Sequence, residues 1–271
     1  MKTQQIALVT GASSGIGKET VKKLLEDGLV VYAVARRIEK MHDLEKLGAL
    51  VLKMDITKDE DLINVVKQIT EHHGGVDVLV NNAGYGLYGA VEDITLEDAR
   101  YQFEVNIFGL ARLTQLVLPY MREKQAGKII NISSIGGKVC FPLGAWYHAT
   151  KHALEGWSDS LRLELKSFKI DVIIIEPGVI ETGFAEVVTN ELREIAEKSA
   201  YSNVAQKLVK ASTSGKFRGS HPSVIAQIIS KAVKCKNPKT RYVAGSMAKP
   251  LLCLRKVLTD KMFDKLILSM F

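Results

Sequence analysis

Gln5-Ile6-Ala7-Leu8-Val9-Thr10-Gly11-Ala12-Ser13-Ser14-Gly15-Ile16-Gly17 is the stretch that decides the fold. The apolar run is too short for a helix, and after the glycine loop Lys18 to Glu26 has helical spacing closed by Gly28. Strand, glycine turn and helix follow one another. Glycines there allow a tight turn and bring backbone N–H groups close to a pyrophosphate at a helix N-terminus. Gly11, Ser13, Ser14, Gly15, Ile16 and Gly17 are therefore candidate dinucleotide-binding residues. The spacing is Gly-x-x-x-Gly-x-Gly, and its place between strand and helix says more than the glycines alone.

Moving outward, Leu29 to Ala35 is a valine-rich run that predicts a second buried strand parallel to the first. Further strands are predicted at 49–54, 76–81, 127–133, 170–176 and 241–244, with helical patterns near 58–72, 95–124 and 147–168. This alternation predicts an α/β fold, a single Rossmann-type doubly wound parallel sheet of about seven strands with helices on both faces. Ligands of such sheets sit beyond the carboxyl ends of the strands, here the loops after Val9, Val34, Met54, Val80, Ile132 and Ile175. Where an acid would hold the ribose 2′-hydroxyl of NAD, the chain reads Ala35-Arg36-Arg37. Two guanidiniums suit a 2′-phosphate, so NADP(H) is the expected cofactor; a solvated pair opening a surface helix is the alternative.

With 271 residues, 46% hydrophobic, 25% charged and 21 glycines, the chain has the composition of one large globular domain, without a long low-complexity region. Its start lacks the blocks of a signal peptide, and no apolar run is long enough to span a bilayer. Cys140, Cys235 and Cys253 are odd in number and without Cys-x-x-Cys spacing, which argues against disulfides or a zinc site and for a cytoplasmic location. No metal is expected: His148 and His152 share a helix face, but no third ligand accompanies them. The net charge of +7 is concentrated in residues 231–271, where ten Lys or Arg face Asp260 and Asp264; the rest carries −1. Without a recognisable module or interleaved aromatics, this basicity does not indicate nucleic-acid binding.

Tyr147 and Lys151 stand one helical turn apart, with Ser134 thirteen residues before the tyrosine. A nearby ammonium is expected to pull a phenol below its ordinary pKa of about 10, making it an acid or base usable near neutral pH. Tyr120 and Lys124 have the same spacing, but Ile107 stands where a hydroxyl would be needed.

The joint pattern resembles the short-chain dehydrogenase/reductase family. Thr-Gly-x-x-x-Gly-Ile-Gly at 10–17, Asn-Asn-Ala-Gly at 81–84, Asn106, Ser134, Tyr147, Lys151, Pro177-Gly178 and Thr182 stand in that family's order over about residues 5–185. The resemblance implies that Tyr147 is the general acid or base, that Lys151 lowers its pKa and holds the nicotinamide ribose, that Ser134 binds the reacting oxygen and that Asn106 anchors a proton-relaying water. It also implies cofactor contacts from Asp55 and Ile56, from Asn82, Ala83 and Gly84, and from Pro177, Gly178, Val179 and Thr182. Ser133 competes with Ser134 for the hydroxyl role, Asn106 has the alternative of bonding its own helix, and Asp55 that of a turn or cap aspartate.

The function expected is NADP(H)-dependent interconversion of a carbonyl and a secondary alcohol, on a small, hydrophobic substrate, by a homo-oligomer (dimer or tetramer). A cofactor-binding sensor or scaffold without turnover is disfavoured by the intact catalytic set. An epimerase using transient oxidation is disfavoured by the loop spacing. Residues 1–247 are expected to form the catalytic domain, with a helical lid at about 184–222, flexible over Ser212 to Ser220, and an apolar pocket lined by Tyr85, Leu87, Phe141, Leu143 and Phe184. Residues 248–271 form an amphipathic basic extension with three open roles: packing on the domain or a partner subunit, covering the substrate entrance, or peripheral contact with an anionic membrane. Packing is the leading expectation.

Overall fold

A computed structural model describes residues 4–214 and 218–271. Met1 to Thr3, and the 215–217 part of the expected flexible stretch, lie outside the described residues. Seven strands, β1 (Ile6–Thr10), β2 (Val30–Ala35), β3 (Leu50–Lys53), β4 (Val78–Asn81), β5 (Gly127–Ile132), β6 (Ile170–Pro177) and β7 (Arg241–Ala244), form one sheet in the order β3-β2-β1-β4-β5-β6-β7. Every pairing is parallel. Six lie within the predicted runs, and β6 extends one residue past its own, to Pro177.

The connecting helices are α1 (Gly15–Glu26), α2 (His42–Lys46), α3 (Asp59–His73), α4 (Leu96–Phe103), α5 (Gly109–Lys124), α6 (Ala145–Leu165), α7 (Gly183–Lys198), α8 (Ser202–Thr213), α9 (Ser223–Lys234), α10 (Ala248–Val257) and α11 (Asp260–Ser269). Ala7 and Val9 of β1 face a core shared with Val21 and Leu24 of α1 and Ile225 and Ile229 of α9. Ile6 and Leu8 face the opposite core, with Leu62 and Val65 of α3, Leu113 of α5 and Leu161 of α6. Burial on both faces is why β1 has no polar residue before Thr10.

The helical run expected over 95–124 is interrupted. Thr95 caps α4 by accepting the Asp98 N–H at 3.1 Å, but residues Glu104–Phe108 form a π-helical turn before α5 resumes. Such a turn changes the angular position of everything within it, here Val105, Asn106 and Ile107, which are all buried. Residues 248–271 pack back on the domain: Ala248, Leu251, Phe263 and Ile267 share a core with Ile135 and Val139, and the Phe271 ring meets Phe141 at 6.3 Å. No helix among the described residues is long and apolar enough to cross a membrane.

The carboxyl ends of β1 and β4, where the strand order turns back on itself, are tied together by Thr10. Its Oγ1 accepts the N–H groups of Asn82 and Ala83, each at 2.9 Å, while Asn82 Nδ2 donates to the carbonyl oxygens of Thr10 at 2.9 Å and Gly11 at 3.3 Å. Thr10→Val keeps the side chain's shape but leaves two amides without their acceptor, so it should lower unfolding stability by about 2 kcal/mol in urea titration. A loss below about 0.5 kcal/mol would show that the tie does not hold the strand ends.

Candidate active site

The glycine loop forms a cradle. Gly11 has φ +66°, and a Cβ on Gly17 would stand 2.4 Å from the Gly11 carbonyl oxygen, so side chains at either place would push the loop open. Ser14 occupies the N-cap of α1 without a side-chain cap bond, and the first turn of the helix carries no acid. The amides and dipole there suit a pyrophosphate. On the rim, Arg37 Nη2 donates to Ser13 Oγ at 3.4 Å and Arg36 Nη1 to the Tyr101 hydroxyl at 3.3 Å, with both arginines exposed at the end of β2. These residues fit an NAD(P)-type dinucleotide.

Across the cradle, Pro177 ends β6. The Gly178 N–H donates to the Ala244 carbonyl at 2.8 Å and the Val179 N–H to that of Ser246 at 2.9 Å. Thr182 caps α7 by accepting the Phe184 N–H at 3.3 Å, and its methyl lies close over Gly15 and Ile16's turn: a Cβ on Gly15 would be 3.0 Å from Thr182 Cγ2. The structure thus brings the segment after β6 onto the glycine loop. Asp55 and Ile56 follow β3; Asp55 Oδ1 accepts from the Thr57 amide at 3.0 Å and hydroxyl at 2.8 Å, the turn geometry that was its alternative, and Ile56 is buried.

The second cluster surrounds the end of β5. Lys151 Nζ donates to the Ile132 carbonyl at 2.9 Å and stands 5.9 Å from the Tyr147 ring centre. Ser134 Oγ accepts the Gly136 N–H at 3.0 Å and lies on the Tyr147 side, where its hydroxyl works to lower the pKa of the phenol. Ser133 points the other way: its Oγ is buried without a partner, and it would be 2.9 Å from a Cβ on Gly137. Backbone direction alone separates two neighbouring serines. Asn106, aimed by the π turn, does not bond its own helix; Oδ1 accepts the Tyr85 N–H at 3.1 Å, and Nδ2 donates to the Tyr85 carbonyl at 2.9 Å and Thr150 Oγ1 at 3.1 Å. Gly84 lies against both groups, since a Cβ there would be 3.1 Å from Asn106 Oδ1 and 4.0 Å from Lys151 Nζ.

The electrostatics differ from the sequence expectation. Burial holds the Tyr147 phenol above its ordinary pKa, with the Ser134 hydroxyl pulling the other way. Burial also brings Lys151 down to about 8, opposed by the Glu155 carboxylate. Desolvation thus outweighs the expected acidification, and the phenol stands protonated at neutral pH.

Several residues that shape this site carry no local signal. Tyr88 lies 5.7 Å from the Tyr147 ring and Phe184 lies 5.4 Å from it on the other contact. Glu191 of α7 accepts the Tyr88 N–H at 3.0 Å, fastening the helix pair α7–α8 over the phenol. Of the residues expected to line an apolar pocket, Phe184 reaches Tyr147, whereas Tyr85, partly buried, packs against the core that holds α3 and α5, and Phe141 against the C-terminal helices. The Tyr120 and Lys124 pair belongs to the other end of the sheet: Lys124 pairs with Asp77, whose Oδ2 accepts the Ile6 N–H at 2.9 Å where β1 begins.

Residues 5–193 match the family model described as short chain dehydrogenase. A 3-ketodihydrosphingosine reductase of Bacteroides thetaiotaomicron is 38% identical over 254 residues, covering 93% of this chain and 92% of its own. An NADPH-dependent 3-dehydrocapnine reductase of Ornithobacterium rhinotracheale is 33% identical over 272 residues, 96% of this chain and 95% of its own. The crystal structure of a short-chain dehydrogenase from Streptomyces avermitilis superposes with a TM-score of 0.79 at 32% identity, over 99% of this chain and 95% of that one. The chain belongs to the short-chain dehydrogenase/reductase family of oxidoreductases, whose solved structures include NADP(H) complexes.

His148, beside the phenol, uses both ring nitrogens: Nε2 accepts the Phe141 N–H at 3.0 Å, which leaves Nδ1–H to donate to the Gly136 carbonyl at 3.0 Å. Burial pushes its pKa down to about 4 from 6.5. The unfolded chain therefore binds the extra proton first, so this contribution is complete above pH 6.5 and is lost as pH falls toward 4. Between about pH 7 and about pH 4.5, wild type should lose about 2–3 kcal/mol more unfolding stability than His148→Gln in urea titrations. Parallel losses would reject a buried neutral imidazole.

Proposed function

We propose that the protein is an NADPH-dependent reductase converting a ketone on a hydrophobic chain into a secondary alcohol. The observation that carries this is the meeting of Ser134, Tyr147 and Lys151 at the carboxyl end of β5, under Phe184 and Tyr88. Arg36, Arg37 and Ser13 support the choice of NADP over NAD, as does the NADPH dependence named for one relative. One relative is named as a reductase of 3-ketodihydrosphingosine and another of 3-dehydrocapnine, which supports the substrate class, and the apolar rings around Tyr147 suit it.

The glycine loop and the 177–182 segment would hold the cofactor, which would supply a hydride. Ser134 donates a hydrogen bond to the ketone oxygen and Tyr147, held protonated by burial, gives that oxygen its proton as negative charge develops. Lys151, fixed by the Ile132 carbonyl, places an ammonium beside the resulting phenolate, and would hold the cofactor ribose. Asn106 fixes the Tyr85 backbone and Thr150 next to Lys151, the place from which a relaying water would reprotonate the site. Asp55 with Ile56, and Asn82 with Ala83 and Gly84, would hold the adenosine half; Pro177, Gly178, Val179 and Thr182 would hold the nicotinamide. Helices α7 and α8 act as the lid. The three unpaired cysteines among the described residues suit a cytoplasmic enzyme, and exposed Phe108 and Leu163 offer apolar surface for a homo-oligomer.

Tyr147→Phe should reduce NADPH-dependent turnover of 3-ketodihydrosphingosine by about a thousandfold while leaving NADPH affinity within about threefold. Undiminished turnover would remove the proposed acid. Arg36→Ala with Arg37→Ala should weaken NADPH about ten- to a hundredfold in a fluorescence titration and change NADH little; equal losses would reject the phosphate contact.

A further inference from the structure

The C-terminal helices have two apolar faces, and only one of them is used by the fold. Ala248, Leu251, Phe263 and Ile267 are buried against Ile135 and Val139. On the outside, Leu254 is 36% exposed, Val257 71%, Met262 54% and Leu268 64%. Along α10, Pro250, Cys253, Leu254 and Val257 follow the i, i+3, i+4, i+7 spacing of a single stripe, all of them exposed. Lys249 and Lys256 flank this stripe, and Lys261 and Lys265 stand exposed on α11. Asp260 is paired with Arg255 at 2.8 Å, and exposed Asp264 is set against the four lysines, so the two helices carry a net charge of +3.

From these faces we infer that α10 and α11 dock the enzyme on the surface of an anionic lipid bilayer, with Leu254, Val257, Met262 and Leu268 entering the headgroup boundary and the four lysines meeting lipid phosphates. Interfacial helices bind by this combination of apolar burial and attraction to anionic lipid. A second copy of the chain is a poorer occupant. A two-fold interface sets a patch against itself, which would bring four lysines against four lysines, and lysine is depleted from interface cores.

The inner face of the same helices reaches toward the site. Phe271 touches Phe141, and the Phe141 ring lies 5.7 Å from His148, the neighbour of Tyr147 in sequence. The inference stands on the helices' own outer faces and is independent of the proposed ketone reduction.

The experiment is co-sedimentation of the full chain with vesicles of phosphatidylcholine containing about a third phosphatidylserine, and with phosphatidylcholine alone. Wild type should sediment with the anionic vesicles only and be released at about 0.5 M salt. Lys256→Glu with Lys261→Glu and Lys265→Glu, and separately Val257→Glu with Leu268→Glu, should each weaken partitioning at least about a hundredfold. NADPH affinity, measured on the same samples, reports that the variants are folded. Failure of wild type to sediment overturns the inference, as does a light-scattering result in which Val257→Glu splits a wild-type oligomer while vesicle binding is absent. Because no turnover is measured, a negative result here is separate from a failure to reduce ketones.

Discussion

The two hydrogen bonds that Thr10 Oγ1 accepts from Asn82 and Ala83 fix the place where the sheet changes direction. β1 lies between β2 and β4, so the connections on its two sides run outward in opposite directions and leave a crevice beyond their ends. The Asn82 amide returns the bond to the Thr10 and Gly11 carbonyls, and Gly17 presses against the same loop. Moving either strand end would move the amides at the start of α1. The cradle, Thr182 over Gly15, and the rim arginines all take their positions from this crossing.

At the end of β5 the governing effect is desolvation. Tyr147 and Lys151 are both buried, and each is driven toward its neutral form, the phenol upward and the amine to about 8. A protonated phenol beside a serine hydroxyl is suited to donating to an oxygen that gains charge, which is the direction proposed for the reaction. Glu155, one turn beyond Lys151, opposes the loss of the lysine's charge and is itself held by Lys138 at 3.1 Å and Arg241 at 3.0 Å. The ion network behind the lysine is thus part of the site's electrostatics although it touches none of the reacting groups.

Much of this was legible in the chain. Seven apolar runs gave seven strands because a parallel sheet covered on both faces demands continuous apolar sequence, and the glycine loop was marked by its place between the first strand and first helix. The break at Glu104–Phe108 was not legible, since a π turn keeps the composition of the helices around it. Nor was Tyr88 distinguishable from Tyr85: three residues apart in one loop, one meets Tyr147 and the other packs in the core. The basic tail was visible as a charge concentration, but not the division of its apolar residues into an inner and an outer face.

The sequence by itself determined the strand order of chemistry: a dinucleotide cradle first, arginines where an acid would select NAD, and a tyrosine, lysine and serine after the fifth strand. These signals are local, set by spacing along a strand, a turn or a helix. Tertiary structure alone decided which serine faces the phenol, how Asn106 is aimed, and that Tyr120 and Lys124 lie at the wrong end of the sheet. It also decided the sign of the phenol's shift, because desolvation depends on everything packed around a group, and that packing is assembled from α6, α7 and the loop after β4, segments separated by tens of residues in the chain.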